Sequence, residues 1–240
     1  MTQPDLPSAE LLDLQAQWLQ GARSRLFRRI SLANRRKVLD LGSGRGQVTR
    51  ELMRRTGGFV AAVDHNSRSL HESIYPRDSL RVAGAAGQLP FRPESFDLVF
   101  CQNALLWMRP LVDVIKEIYR VLGPEGWLAA IEPDFGGLME NPADITTRDI
   151  WLSALARAGA EPLIGRKLPS SLEKAGFQVQ ILLLDRLEPG NKERLQFLME
   201  LPLTSEERKL LDNIQSRIED RLGWEQISHL PYFLIIAQKT

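Results

Sequence analysis

The sequence predicts an α/β fold organised by a mainly parallel sheet, and three observations predict it. Short apolar runs of strand length alternate with segments whose apolar residues recur at helical spacing, the pattern of repeated strand–helix units. Three glycines, Gly42, Gly44 and Gly46, lie between the first run and the helix that follows it. Acid or amide side chains, Asp64, Gln102 and Glu132, then close later runs, on the side where open α/β sheets bind their ligands.

Composition bounds the chemistry. The 240 residues suit one domain, and a hydrophobic content of 43% is enough for a large buried core. A net charge of +1 gives no global attraction to nucleic acid or anionic membranes. Cys101 is the one cysteine, which excludes an internal disulfide framework, gives no metal cluster and fits a reducing, cytoplasmic setting. Residues 1–10 lack a basic patch followed by an apolar run, so no secretory leader is expected, and no stretch approaches membrane-spanning length.

In chain order, Ser8 opens a predicted helix over residues 8–30, apolar first and basic later. Residues 21–37 hold Arg23, Arg25, Arg28, Arg29, Arg35, Arg36 and Lys37 with no acid. They read as a solvated face, with an anionic-partner patch as the sharper alternative. Residues 37–41 are the first strand, 47–55 a helix through Val48, Leu52 and Met53, and 59–63 a second buried strand ending at Asp64. Asn66 or Ser67 caps a helix carrying Leu70 and Ile74. Residues 80–83 and 95–101 give the third and fourth strands. A strongly apolar helix from Leu111 to Leu122 ends at Gly123 and Pro124, and 127–131 is the fifth strand. Helices follow at 146–159 and before Gly176, a sixth strand at 177–187, helices near 194–200 and 205–222, and a seventh strand at 232–238.

The glycine turn carries the most chemistry. Glycines at a strand-to-helix turn let a ligand approach the backbone, and the helix start offers it free N–H groups. A dinucleotide fingerprint needs a third glycine at position 47, which is Gln47. Asp40, two residues before Gly42, would repel a pyrophosphate and attract an ammonium group. About twenty residues past the turn, Asp64 is placed to accept both hydroxyls of a ribose.

Lys37-Val38-Leu39-Asp40-Leu41-Gly42-Ser43-Gly44-Arg45-Gly46 closely resembles motif I of the class I S-adenosylmethionine-dependent methyltransferases, of the type 11 kind. Gly84-Ala85-Ala86-Gly87-Gln88-Leu89-Pro90-Phe91 resembles the family's G-D-A-x-x-L-P-F segment, with Ala85 in place of the acid. Residues 117–126 resemble its E-x-x-R-V-L-x-P-G-G, with Glu125 in place of the first paired glycine. The resemblance covers residues 37–132. It implies a Rossmann-like sheet of seven strands in the order 3-2-1-4-5-7-6, helices on both faces and the last strand antiparallel.

The same resemblance implies S-adenosyl-L-methionine as cofactor, held by Asp40, Gly42, Ser43, Gly44, Asp64, His65, Ala85, Ala86 and Gln102. His65 would pack on the adenine, or stand as a loop histidine. Asp64 takes the ribose, and Ala85 forgoes the usual bond to the adenine amino group. Trp107 and Glu132 are the acceptor-side candidates, and Asp134 and Tyr75 are weaker ones. No catalytic residue and no metal ligand are assigned.

The whole chain is expected to be one methyltransferase domain. Residues 1–30 add a helical segment, and residues 134–176 and 188–230 are helical insertions that cap the substrate site. The expected reaction is in-line SN2 transfer of the methyl group to a small, partly apolar molecule. Cys101-Gln102-Asn103-Ala104 stands where base amino-methylating enzymes carry an Asp/Asn-Pro-Pro-aromatic run, which argues against a nucleic-acid base. An RNA or protein methyltransferase, and a non-catalytic protein retaining the fold, are the alternatives. Arg166 and Lys167 are read as one candidate anionic anchor, and Cys101 as a small buried residue rather than a nucleophile.

Overall fold

The computed structural model describes residues 8–71, 75, 79–183, 187, 190, 193–218 and 223–240. Ile74, residues 184–186 of the expected sixth strand and residues 219–222 of the last expected helix lie outside them. The strands of the main sheet are β1 (Lys37–Leu41), β2 (Phe59–Asp64), β3 (Leu80–Ala83), β4 (Phe96–Gln102), β5 (Leu122–Pro133), β7 (Phe177–Leu183) and β9 (Tyr232–Lys239). Their order is β3-β2-β1-β4-β5-β9-β7. In the count used above this is 3-2-1-4-5-7-6. β9 runs antiparallel to both neighbours, and the pairs from β3 to β5 are parallel.

The helices are α1 (Ala9–Trp18), α2 (Gln20–Arg29), α3 (Gln47–Arg55), α4 (Ser67–His71), α5 (Leu111–Val121), α6 (Arg148–Arg157), α7 (Ile164–Lys174), α8 (Glu193–Glu200) and α9 (Ser205–Ile218). Alternate side chains of each strand face opposite ways. Val38, Val60, Leu98, Phe100 and Ile131 pack with Leu26 and Phe27 of α2 and Leu52 of α3. Leu39, Val63, Val99 and Leu128 pack on the other face with Ile115 and Ile118 of α5 and Leu168 and Leu172 of α7. Cys101 belongs to this second core, fully buried, and burial pushes its thiol well above the ordinary value.

Three expectations need correction. The single helix over residues 8–30 is two helices, broken at Leu19, where the poor helix former Gly21 follows closely. The break brings Arg23 inward. Strand β5 begins at Leu122, five residues before the expected start, and its pairing with β4 shifts register between Phe96 and Leu98. Glu125, in the position of a family glycine, adopts a left-handed φ of 57° at this irregularity. The third correction is a two-stranded sheet that was not anticipated, in which β6 (Met139–Asn141) pairs antiparallel with β8 (Ile227–His229). Three-residue strands so far apart in sequence leave no periodic signal.

The basic stretch divides: Arg23 is buried, Arg35 is half-buried, and Arg25, Arg28, Arg29, Arg36 and Lys37 are exposed. Arg23 is buried and ion-paired to Glu51 at 2.6 Å. Arg35 donates to the Ile30 carbonyl and lies over the Trp127 ring, and Arg36 donates to the Gly57 carbonyl. No helix among the described residues is long and apolar enough to cross a membrane.

Candidate functional site

The parallel strands deliver their carboxyl ends to one edge of the sheet, and a cavity of about 370 Å³ opens there. One part of its wall comes from the loops after β1, β2 and β3: Gly42, Gly44, Asp64, His65, Asn66, Ala85 and Ala86. Another part comes from the end of β4 and the turn after it, with Gln102, Asn103, Trp107 and Met108. The rest is mostly apolar and comes from α1, the segment after β5, α6 and α8, through Leu12, Phe135, Trp151, Leu155, Phe197 and Leu201. Phe135 and Trp151 stack with centroids 4.8 Å apart.

The glycine turn is fixed from behind. The N–H groups of Gly42 and Ser43 both donate to the Val63 carbonyl, at 2.8 and 3.1 Å, tying β1 to β2. Gly42 has φ +76°, and a Cβ there would fall 2.4 Å from that of Ala104. Gly44, at φ +53°, differs: a Cβ would meet nothing within 4 Å. It is the open residue of the turn and lines the cavity. Its N–H donates to Asp64 Oδ2 at 2.8 Å, and the Asn66 N–H donates to Oδ1 at 2.9 Å. Each Asp64 oxygen accepts one backbone bond and keeps lone-pair capacity for a ligand. His65 extends outward from it, with Nδ1 3.4 Å from Asp64 Oδ1 and its side chain exposed.

Eight of the eleven residues singled out from the sequence come together in this wall: Gly42, Gly44, Asp64, His65, Ala85, Ala86, Gln102 and Trp107. The lining does not include Asp40, Ser43 or Glu132. Asp40 is buried behind the turn and accepts a 2.6 Å bond from Thr49 Oγ1, and burial raises its carboxyl to about 7. Ser43 Oγ shares a 2.8 Å bond with the Tyr75 hydroxyl, which donates to the Gly44 carbonyl at 2.6 Å. Tyr75 thus braces the turn from behind.

Glu132 is fully buried beneath the loop after β4. Its Oε1 accepts the N–H groups of Ala104 and Leu105, both at 3.0 Å, while Oε2 is buried with no partner. Burial raises this carboxyl to about 7. Glu132 therefore positions the turn that presents Trp107. Gln102 is set from the N-terminal segment, because Arg23 donates to its Oε1 at 3.0 Å.

Arg166 and Lys167 are both engaged elsewhere. Arg166 pairs with the buried Asp134 at 2.7 Å, and Lys167 with Glu161 at 2.8 Å. Sequence reasoning missed Gln15, Glu200 and Tyr232 in the wall, and assigned no role to Asn103. Tyr232 reaches the site because β9 inserts beside β5, opposite Pro133. The strand order carried that signal, since it places the seventh strand next to the fifth.

Comparison with known proteins gives a consistent neighbourhood. A family model described as a methyltransferase domain matches residues 39–130. A Synechocystis protein described as an uncharacterized methyltransferase is 31% identical over 156 residues, covering 62% of this chain and 70% of its own. A malonyl-acyl-carrier protein O-methyltransferase of Halorhodospira halophila is 36% identical over 126 residues, covering 50% of this chain and 43% of its own. The chain spans less than two thirds of the length of several curated relatives that it matches. A solved structure from Bacillus halodurans superposes with a TM-score of 0.68 at 20% identity, covering 90% of this chain and 97% of that one.

Proposed function

The chain belongs to the class I S-adenosylmethionine-dependent methyltransferases, and on that premise we propose that it moves the cofactor's methyl group to a small, partly apolar molecule. One observation supports this reading above the others. A single cavity joins the glycine turn and Asp64 to a mostly apolar wall supplied by α1, α6, α8 and the segment after β5. Small-molecule sites combine an apolar enclosure of this sort with a few placed polar groups.

The residues present fit the cofactor. Gly44 offers open space at the turn, and Asp64 keeps acceptor capacity for two ribose hydroxyls. His65 and Ala86 both line the cavity, and on the family resemblance they would flank the adenine. Ala85 supplies no carboxylate there, so the adenine amino group gains no charged partner from this position. When bound, the cofactor supplies an electrophilic methyl on sulfonium.

With the cofactor held at Gly44 and Asp64, the chain's own residues would bring an acceptor lone pair into line with that methyl group, and the departing sulfur would leave as a neutral thioether. A proton on the acceptor atom passes to solvent. Charge is dispersed in this step, so the protein's contribution is to align the two partners and exclude competing orientations. Trp107, held by Glu132, and the stacked Phe135 and Trp151 are the surfaces that do so. We propose that residues 134–176 and 188–230 form the substrate cap of one methyltransferase domain.

An acceptor on RNA or protein is the second reading, motivated by residues 21–37. The buried pair of Arg23 and the part-buried bond of Arg35 take two of that stretch's arginines out of a patch for an anionic partner. Incubation with methyl-tritiated S-adenosylmethionine and a cell extract separates the two. Label is expected in the organic-extractable, low-mass fraction. Label confined to acid-precipitable RNA or protein would overturn the small-molecule reading.

A further inference from the structure

On the methyltransferase reading above, we infer that Tyr232, with Asn103 and Gln15 beside it, anchors the acceptor, and that the acceptor is an uncharged molecule whose apolar body carries a hydroxyl group. The three residues converge from separate parts of the chain: the start of β9, the end of β4 and the middle of α1. All three line the cavity.

The Tyr232 hydroxyl faces the side-chain amides of Asn103 and Gln15 closely enough to interact with both. Asn103 is held in a left-handed conformation, φ 51°, with its N–H donating to the Ile131 carbonyl at 3.0 Å. Yet its side-chain oxygen and nitrogen are both buried without a hydrogen bond of normal geometry. Buried amides are nearly always paired, so two unpaired atoms beside a ligand cavity mark a group built to be completed by what enters.

Charge selects the acceptor further. Asp64 and Glu200 are the carboxylates of the described lining, with Glu132 and Asp40 buried behind it. The nearby cations are already committed: Arg23 to Glu51, Arg166 to Asp134, and Arg194, which acts on the Tyr232 hydroxyl from outside the lining, to Glu140 at 3.2 Å. Arg109, which does line the cavity, is exposed and donates to the Gly159 carbonyl. Among the described lining residues an anionic acceptor would meet Glu200 and find the one guanidinium, Arg109, paired with Glu161 at 3.8 Å.

An ammonium acceptor would need an accessible carboxylate beside Tyr232; Glu132 is close enough to act on that hydroxyl, but it is fully buried and outside the lining. Glu200 accepts the Ser8 N–H at 2.7 Å, at the start of α1. Gln15 lies seven residues along that segment, about 10 Å away at the rise of a helix. Burial, and then the charge of Glu132, raise the Tyr232 hydroxyl above its ordinary value, so it stays protonated.

A neutral oxygen acceptor suits this set. One lone pair takes the tyrosine proton, the O–H donates to an amide oxygen, and the second lone pair remains for the methyl group.

The test is calorimetry with three probes of one shape: 2-naphthol, 2-naphthoate and 2-naphthylmethylammonium. Each is titrated into the protein alone and into the protein saturated with S-adenosylhomocysteine. The naphthol is expected to bind at least tenfold more tightly than either charged probe. Tyr232→Phe, which removes one oxygen, is expected to weaken naphthol binding at least tenfold and leave S-adenosylhomocysteine binding unchanged. Gln15→Leu should show a smaller loss in the same direction.

Equal or tighter binding of a charged probe would overturn the inference. So would no naphthol binding, or an unchanged Tyr232→Phe. Failure to bind S-adenosylhomocysteine, with naphthol selectivity intact in the protein alone, would instead count against the cofactor reading and leave the anchor standing.

Discussion

Replacing Asp64 by Ala is expected to weaken S-adenosylmethionine binding at least tenfold while the far-ultraviolet circular dichroism stays native. Hydrogen bonds to a charged carboxylate contribute about 1.5–3 kcal/mol each, and the proposal gives Asp64 two of them from the ribose. One such bond lost is already about tenfold in affinity. The same carboxylate receives the N–H groups of Gly44 and Asn66, so the substitution also releases the glycine turn from the end of β2. Both effects act in the same direction on binding. Calorimetric titration of the variant measures the sum, and an unchanged dissociation constant would show that the ribose is held elsewhere.

The second large effect concerns stability. Glu132→Ala removes the acceptor of two buried N–H groups, those of Ala104 and Leu105. An unsatisfied buried donor costs about 1–3 kcal/mol, and the lost side chain adds a void. A loss of about 3 kcal/mol or more is expected in urea unfolding.

Glu132→Gln keeps an acceptor oxygen for those two groups and isolates the charge. Burial raises the Glu132 carboxyl from an ordinary 4.5 to about 7. The folded protein therefore holds a proton that the unfolded chain releases. The stability contributed by the protonated form is complete below about pH 4.5, falls as the pH rises to about 7, and levels beyond it. Over that window the change amounts to about 3 kcal/mol. Asp40, raised from 3.8 to about 7, adds a dependence of the same sign. The Gln variant should match the parent near pH 4.5 and exceed it in stability at pH 8, as read from urea midpoints. Parallel curves for the two proteins would exclude an ionisable Glu132 as the source.

These two residues also mark how far the sequence could be read. Asp64 was legible because its meaning is local: a strand, a glycine turn and a fixed spacing between them place it at one end of the sheet. Gly42 and Gly44 were legible for the same reason, although only the packing shows that Gly42 is crowded by Ala104 while Gly44 is open. The strand order followed from the resemblance.

Glu132 looked like another acid at a strand end. Its partners are backbone N–H groups twenty-seven and twenty-eight residues earlier, and sequence carries no trace of such a pairing. Arg23 was indistinguishable from the other arginines around it. The break at Leu19 and the distant Glu51 turn it inward and set it against Gln102. The apolar faces of α6 and α8 were visible, but not what they cover. Side chains that meet across the cavity, such as Asn103 and Tyr232, are separated by more than half the chain and share no pattern.

The central expectation is that the cofactor occupies the cavity at the glycine turn. Titration of S-adenosylhomocysteine into the parent protein, followed by calorimetry, tests it. The expected result is saturable heat with about one site per chain and a dissociation constant below about 1 mM, lost or weakened at least tenfold in Asp64→Ala. Absence of saturable heat at that concentration, or identical curves for parent and variant, would contradict it.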